Sequence, residues 1–227
     1  AKDRAELGSD VSADILFKLS DAHVKLSEGQ GAELLWRNAT DKNITPLEAL
    51  RIYALKTSPA FEAALYAGVR LAGPADAYEK MIGEFAKNLG IAFQILNDLG
   101  DFDTNSENKV VAGQDVLAGR PTVLLAMALE TATPAQKEEI LGLLQRARKG
   151  DSSFQLVERI HQLYQLNEVF SKGQKLVEKF RARAEAIADE VESEDFRRLL
   201  YFLVDSVLEK FEAPQTPEPL PLIQLGK

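Results

Sequence analysis

Apolar positions recur at intervals of three and four along nearly the whole chain. That is the spacing of amphipathic helices, not of strands. In "SADILFKLSDAHVKLSEGQGAELLW", Ile15, Leu16, Leu19, Ala22, His23 and Leu26 keep this spacing and predict one buried stripe. Asp10 or Ser12 is the expected N-cap. "TPLEALRIYALK" opens with Thr45 as cap, Pro46 at the first helical position and Glu48 in the first turn. Gly73 should end the preceding helix, and the next is predicted to begin at Pro74. "RPTVLLAMALETA" follows Gly119, and "TPAQKEEILGLLQRAR" repeats the Thr-Pro opening at Thr133 and Pro134. With three later segments the set comes to about eight helices joined by short connections. Convincing strand alternation is absent from the sequence, and so is a fixed-period repeat of the solenoid kind. The expected fold class is all-α, a helical bundle. The tail "APQTPEPLPLIQLGK" is proline-rich and is expected to be extended and irregular.

One segment breaks the apolar rule. "FQILNDLGDFD" sets amides and carboxylates among bulky apolar residues. At about 100° per residue, Gln94, Asn97, Asp98 and Asp101 share an arc of about 100°, with Ile91 and Ile95 flanking it. Asp103 falls on another side. Such a polar patch suits a cavity inside a bundle, where inward side chains build ligand and metal sites. Clustered inward carboxylates repel one another unless a cation neutralises them. Hard oxygen donors suit Mg²⁺, which bridges carboxylates to substrate phosphates. By spacing alone, a helix end dissolving into a polar loop is an equal alternative.

Composition narrows the classes. The chain has 227 residues, 45% hydrophobic and 27% charged, which fits a globular protein with a real core. Its net charge of −8 argues against a nucleic-acid partner. There is no cysteine, so disulfides, thiolate zinc sites and cysteine nucleophiles are out, and a cytoplasmic location is the expectation. No apolar run approaches the ~20 residues of a membrane span. "AKDRAELGSD" has no signal-peptide layout and reads as the middle of something.

Three stretches add candidate chemistry. Pro59 removes a helical hydrogen bond to the Leu55 carbonyl, so the helix should kink or break there, with Lys56 and Thr57 just before the break. Gly29 and Gly31 each cost about 1 kcal/mol inside a helix relative to Ala, which suggests close backbone approach, with Gln30 as a polar contact. Lys109 and Arg120 follow the acids, and cations at a helix start make sense if an anion sits there. Each has an ordinary alternative: a solvated lysine, tight packing, surface charge.

In this order the stretches resemble the trans-isoprenyl diphosphate synthases, the polyprenyl synthetase family. The matches are G-Q-x-x-[DE]-L at Gly29, Gln30, Glu33 and Leu34, then Lys56-Thr57, then F-Q-x-x-[DN]-D-x-x-D from Phe93 to Asp101. A G-x-D-x-x-x-G-[KR]-x-T pattern follows at Gly113, Asp115, Gly119, Arg120 and Thr122. The resemblance covers most of residues 10–211, and we expect one helical domain over residues 1–211 with a tail at 212–227. It implies an isoprenoid-synthase bundle that elongates an allylic prenyl diphosphate with isopentenyl diphosphate. Two Asp-rich motifs on facing helices would hold three Mg²⁺ ions. Asp98, Asp101 and Asn97 would be metal ligands. Lys56, Thr57 and Gln94 would be catalytic, and these three with Arg120 and Lys109 would bind diphosphate. A homodimer or heterodimer is implied.

The chain departs from the family in three ways. Asn97 stands where the motif usually has its first Asp, and Lys109 precedes the usual lysine position, nearer Val111. No D-D-x-x-D occurs upstream of Gln30; Asp3, Asp10 and Asp14 are too scattered and read as caps and surface. The N-terminal helices are therefore expected in residues beyond this sequence, or from another polypeptide. A non-catalytic or regulatory subunit on the same fold is the alternative. A terpene cyclase is another, although its N-D-x-x-S-x-x-x-E motif fails after Asn97-Asp98. His23, His161 and the acids of "ADEVESED" read as ordinary helix and surface residues.

Overall fold

The computed structural model describes residues 7–102 and 113–208, and every regular element among them is a helix. The order is α1 Ser9–Asn38, α2 Pro46–Lys56, α3 Ser58–Ala72, α4 Glu79–Gly100, one-turn α5 Gln114–Leu117 and α6 Val123–Thr131. Then come α7 Pro134–Arg148, α8 Phe154–Leu166, α9 Val169–Asp189 and α10 Glu194–Leu208. The expected all-α bundle is therefore what the chain forms. Asp103, Lys109 and the proline-rich tail lie outside the described residues.

Two capping expectations hold. Thr45 accepts from the Glu48 N–H and Glu48 answers to the Thr45 N–H, a full capping box. Thr133 and Gln136 form the same box at α7. Three boundaries differ. α1 begins at Ser9 behind Gly8 with no side-chain cap, because the Ser12 hydroxyl donates to the Gly8 carbonyl instead. α4 begins at Glu79 rather than Pro74; the intervening residues turn, with the Tyr78 N–H donating to the Ala75 carbonyl at 2.9 Å. α6 begins at Val123 with Thr122 as cap, since Pro121 disfavours a helical Arg120. Arg120 thus stands in the α5–α6 link.

α4 runs through the centre, packed on α3 and α9. Ile82, Phe85, Leu89 and Ile95 are fully buried on it. α6 is buried from Val123 to Leu129, as expected of a helix apolar on all sides. The flanking Ile91 and Ile95 of the acidic segment are both buried.

The buried face of α1 is rotated from the expected stripe, keeping Ala22 buried and Ile15 and Leu26 half-buried. Leu16, Leu19 and His23 are exposed, and the buried positions are Lys18, Ala22, Gly29 and Glu33. Periodicity correctly found an apolar face, but the face packed on α2 and α3 is the small and polar one. Lys18 anchors it, paired with Glu62 at 2.6 Å and Glu79 at 3.1 Å.

The break between α2 and α3 falls at Thr57, with Pro59 in the first turn of α3. Two glycines grip it. A Cβ on Gly29 would lie 2.5 Å from the Lys56 nitrogen, and one on Gly90 would lie 2.8 Å from Ser58 Cα. Gly31, in contrast, faces open space, so close approach explains only the first of the two helix glycines.

Gly29→Ala should therefore lower stability by about 1–3 kcal/mol through overpacking. Gly31→Ala should raise it by up to about 1 kcal/mol through helix propensity. Thermal unfolding of the two variants checks the opposite signs, and equal shifts would contradict the packing.

Candidate functional site

The α2–α3 break, the last two turns of α4 and the α5–α6 link meet at one small polar cavity. Glu33, Tyr53, Lys56, Gln94, Asp98 and Arg120 line it, with Asp115 and Thr122. Its volume of about 10 Å³ is room for one water.

Helical spacing sets the α4 wall. Gly90, Gln94 and Asp98 are successive i,i+4 positions, so the glycine that admits Ser58 lies one turn below the glutamine that faces the break. Thr57 Oγ1 donates to Gln94 Oε1 at 3.2 Å, and Gln94 Nε2 donates to Asp98 Oδ1 at 3.3 Å. The other Asp98 oxygen accepts from the Tyr53 hydroxyl. That hydroxyl in turn accepts from the Val123 N–H at 2.7 Å. One hydrogen-bonded chain thus runs from the break through α4 to the start of α6.

Burial dominates the electrostatics. Asp98 is only 2% exposed, and desolvation lifts its pKa to about 8 against the opposing bonds from Tyr53 and Gln94. Nearby Asp115 pushes the same way. Burial and the Asp98 charge push the Tyr53 phenol well above its ordinary value. Tyr164 is raised too, chiefly by burial.

The cations are paired. Lys56 Nζ lies 2.6 Å from Glu33 Oε2, and Arg120 Nη1 lies 2.7 Å from Asp115 Oδ1. Arg120 Nε also approaches Glu33 Oε1 at 3.9 Å. Lys56 is therefore not the solvated lysine of the ordinary alternative.

Of the sequence candidates, Lys56, Gln94, Asp98 and Arg120 converge on the cavity, with Thr57 bonded to Gln94. Asp101 does not join them. It is buried and turned to the α5 turn, where its carboxylate accepts from the Asp115 N–H at 2.9 Å and its carbonyl from the Gly113 N–H at 2.9 Å. Gly113 sits at φ 73°, in the left-handed region that favours glycine. Asn97 is half-buried and does not line the cavity. Gln30 is exposed. His23 is a surface residue, and His161 stacks on Phe102 at 5.7 Å within an aromatic cluster. Lys109 lies outside the described residues. Tyr53 carried no signal in the sequence beyond a helical aromatic, and Glu33 appeared only as one position of a motif.

The family model for polyprenyl synthetases matches residues 5–163. The chain belongs to that family. It is 34% identical over 131 residues to the octaprenyl diphosphate synthase of Escherichia coli (strain K12), covering 57% of this chain and 40% of that protein. It is 32% identical over 125 residues to the geranylfarnesyl diphosphate synthase of Aeropyrum pernix, 55% of this chain and 39% of that one. The chain thus spans about two fifths of the length of each of these two relatives. The crystal structure of a geranylgeranyl pyrophosphate synthetase from Pyrococcus horikoshii superposes with a TM-score of 0.76 at 22% identity. It covers 90% of this chain and 61% of that one, and it shows the shared fold.

The family implies Mg²⁺. The oxygen donors here suit it chemically. The arrangement does not complete a site: both Asp98 oxygens hold hydrogen bonds, Asp101 faces the α5 turn, and no group of three metal-binding acids or histidines forms among the described residues.

The raised Asp98 pKa has a folding consequence. In the unfolded chain this carboxyl ionises near 3.8, whereas in the folded chain it holds its proton to about 8. Its contribution to stability is full below the lower value and is lost as pH rises to the higher one. Asp98→Asn should flatten this loss. Urea midpoints at pH 5 and pH 8, with a chelator present, test it, and parallel pH dependence in both proteins would remove the buried-acid description.

Proposed function

We propose that this chain supplies the diphosphate-binding wall of a trans-prenyltransferase, which condenses an allylic prenyl diphosphate with isopentenyl diphosphate into a longer linear isoprenyl diphosphate. The observation that carries this reading is the meeting of Lys56, Arg120, Gln94 and Asp98 at one cavity, with Thr57 bonded to Gln94. The relatives' names describe prenyl diphosphate synthesis with differing products, so the class is assigned and the chain length is not.

The roles follow from charge development. The allylic carbon–oxygen bond breaks with its electron pair leaving on the diphosphate. Lys56 and Arg120 stabilise that growing negative charge, and Thr57 and Gln94 orient the phosphate oxygens. Mg²⁺, when bound, adds Lewis-acid stabilisation of the same group. Asp98, Asp101 and Asn97 are its candidate protein ligands on this wall, and diphosphate and a facing motif would complete the set. The allylic cation also needs a dry apolar environment. A cavity of about 760 Å³ supports this, beginning at Phe61, one turn past the break, and running along α3 between Leu65, Val69, Phe196 and Leu199.

No helix among the described residues is long and apolar enough to cross a membrane, and a cytoplasmic enzyme is part of this reading. A dimer is too: the uncovered apolar face of α1, with Phe17, Val24 and Leu35, supports burial against another surface.

A second reading has its own observation. Asn97 replaces an acid, and each Asp98 carboxyl oxygen already accepts a hydrogen bond within the protein. Both favour a non-catalytic or regulatory subunit that works through a partner.

Calorimetry with inorganic pyrophosphate and Mg²⁺ is the direct test. The chain should bind, and Lys56→Met should weaken binding about tenfold or more, the loss of one charge-assisted contact. No binding by the wild-type protein would overturn the diphosphate assignment. Prenyl transfer by the purified chain alone would exclude the regulatory reading.

A further inference from the structure

We propose that Glu33 is a positioning residue: a buried carboxylate that holds Lys56 and Arg120 together as a preformed diphosphate clamp. This rests on the diphosphate reading above and adds to it a role for a residue that touches no substrate.

Exposure rises in steps from the acid to the two cations. The Glu33 side chain is 6% exposed, Lys56 is 24% and Arg120 is 47%. The acid therefore lies beneath the two cations rather than in front of them. Lys56 has three N–H donors and spends one on Glu33. Arg120 has five and spends Nη1 on Asp115, with Nε turned toward Glu33. Each cation keeps donors for an anion arriving from the more exposed side.

A second observation is independent of charge. Gly29 and Glu33 are one helical turn apart on the same face of α1. Gly29 admits the Lys56 backbone to a distance that a Cβ would forbid. Glu33 then takes the Lys56 side chain at 2.6 Å. The same face of α1 thus fixes both the start and the end of one long, flexible side chain. Free lysine and arginine side chains carry a large rotamer entropy. A clamp held in place before binding loses less of it when the diphosphate arrives.

The opposite possibility is that Glu33 competes with the diphosphate for the cations. The two differ in sign. If Glu33 positions the clamp, Glu33→Gln weakens pyrophosphate binding. If Glu33 competes, the same change tightens it, because a negative charge has gone.

Titration of wild type, Glu33→Gln, Glu33→Asp, Lys56→Met and the Glu33→Gln/Lys56→Met double variant with Mg²⁺ and inorganic pyrophosphate decides. The expected result is about a tenfold loss for Glu33→Gln, the scale of freeing one long cationic side chain. Glu33→Asp should recover part of it. Glu33→Gln should cost less once Lys56 is gone, since only its longer contact with Arg120 then remains. Unchanged or tighter binding by Glu33→Gln, in a protein that Lys56→Met does weaken, overturns the positioning role alone. Equal losses with and without Lys56 also overturn it, because they mark a general structural defect. If Lys56→Met leaves binding unchanged, the diphosphate reading itself fails.

Discussion

The break at Thr57 is the constraint on which the site depends. Pro59 denies the Leu55 carbonyl its helical partner, so α2 must end and α3 must start anew within a residue or two. That alone would leave a loose joint. Gly29 on α1 and Gly90 on α4 press the joint from two sides, at contact distances that exclude any side chain. One turn beyond each glycine stands a polar residue that reaches back to the joint: Glu33 to Lys56, and Gln94 to Thr57. Backbone approach and side-chain recognition are thus delivered by the same helix faces. A shift of either helix would disturb both.

This coupling also explains why α1 buries its small and polar face. Helices that must bring a carboxylate within 2.6 Å of a lysine cannot be held apart by leucines. Phe17, Val24 and Leu35 of α1 therefore end on the other side, where the described residues do not cover them. Lys18 compensates at the other end of the helix by joining α3 and α4 through Glu62 and Glu79. Two polar anchor points, well separated along α1, replace the usual greasy seam.

Much of this was legible in the sequence, and the rest was hidden for physical reasons. Pro59 announces a break, and Thr-Pro announces a helix start, because both act on the backbone within a few residues. Gln94 and Asp98 share a face by the turn angle alone. Asp101 satisfies the same angular rule yet leaves the cavity, because it sits at the helix end and is drawn to the N–H groups of the α5 turn. The α1 stripe was misjudged because periodicity says which face is apolar, not which face is covered. Tyr53 was invisible because a buried tyrosine at helical spacing looks like core. Its hydroxyl acquires meaning only when α4 and α6 bring Asp98 and Val123 to it.

The charges on this wall point to what it still needs. Glu33 and Asp115 offset Lys56 and Arg120, and burial keeps Asp98 largely protonated near neutral pH. The two cations at the cavity are therefore already offset by their own acids. A diphosphate brings several negative charges, and an excess of anion in a semi-buried cavity is costly. Two shared cations can orient such a group, but they cannot balance it while also paired to their own acids. On the proposed diphosphate reading, balance requires further positive charge, as metal ions or as basic residues. That requirement combines the ion pairs with the proposed diphosphate reading.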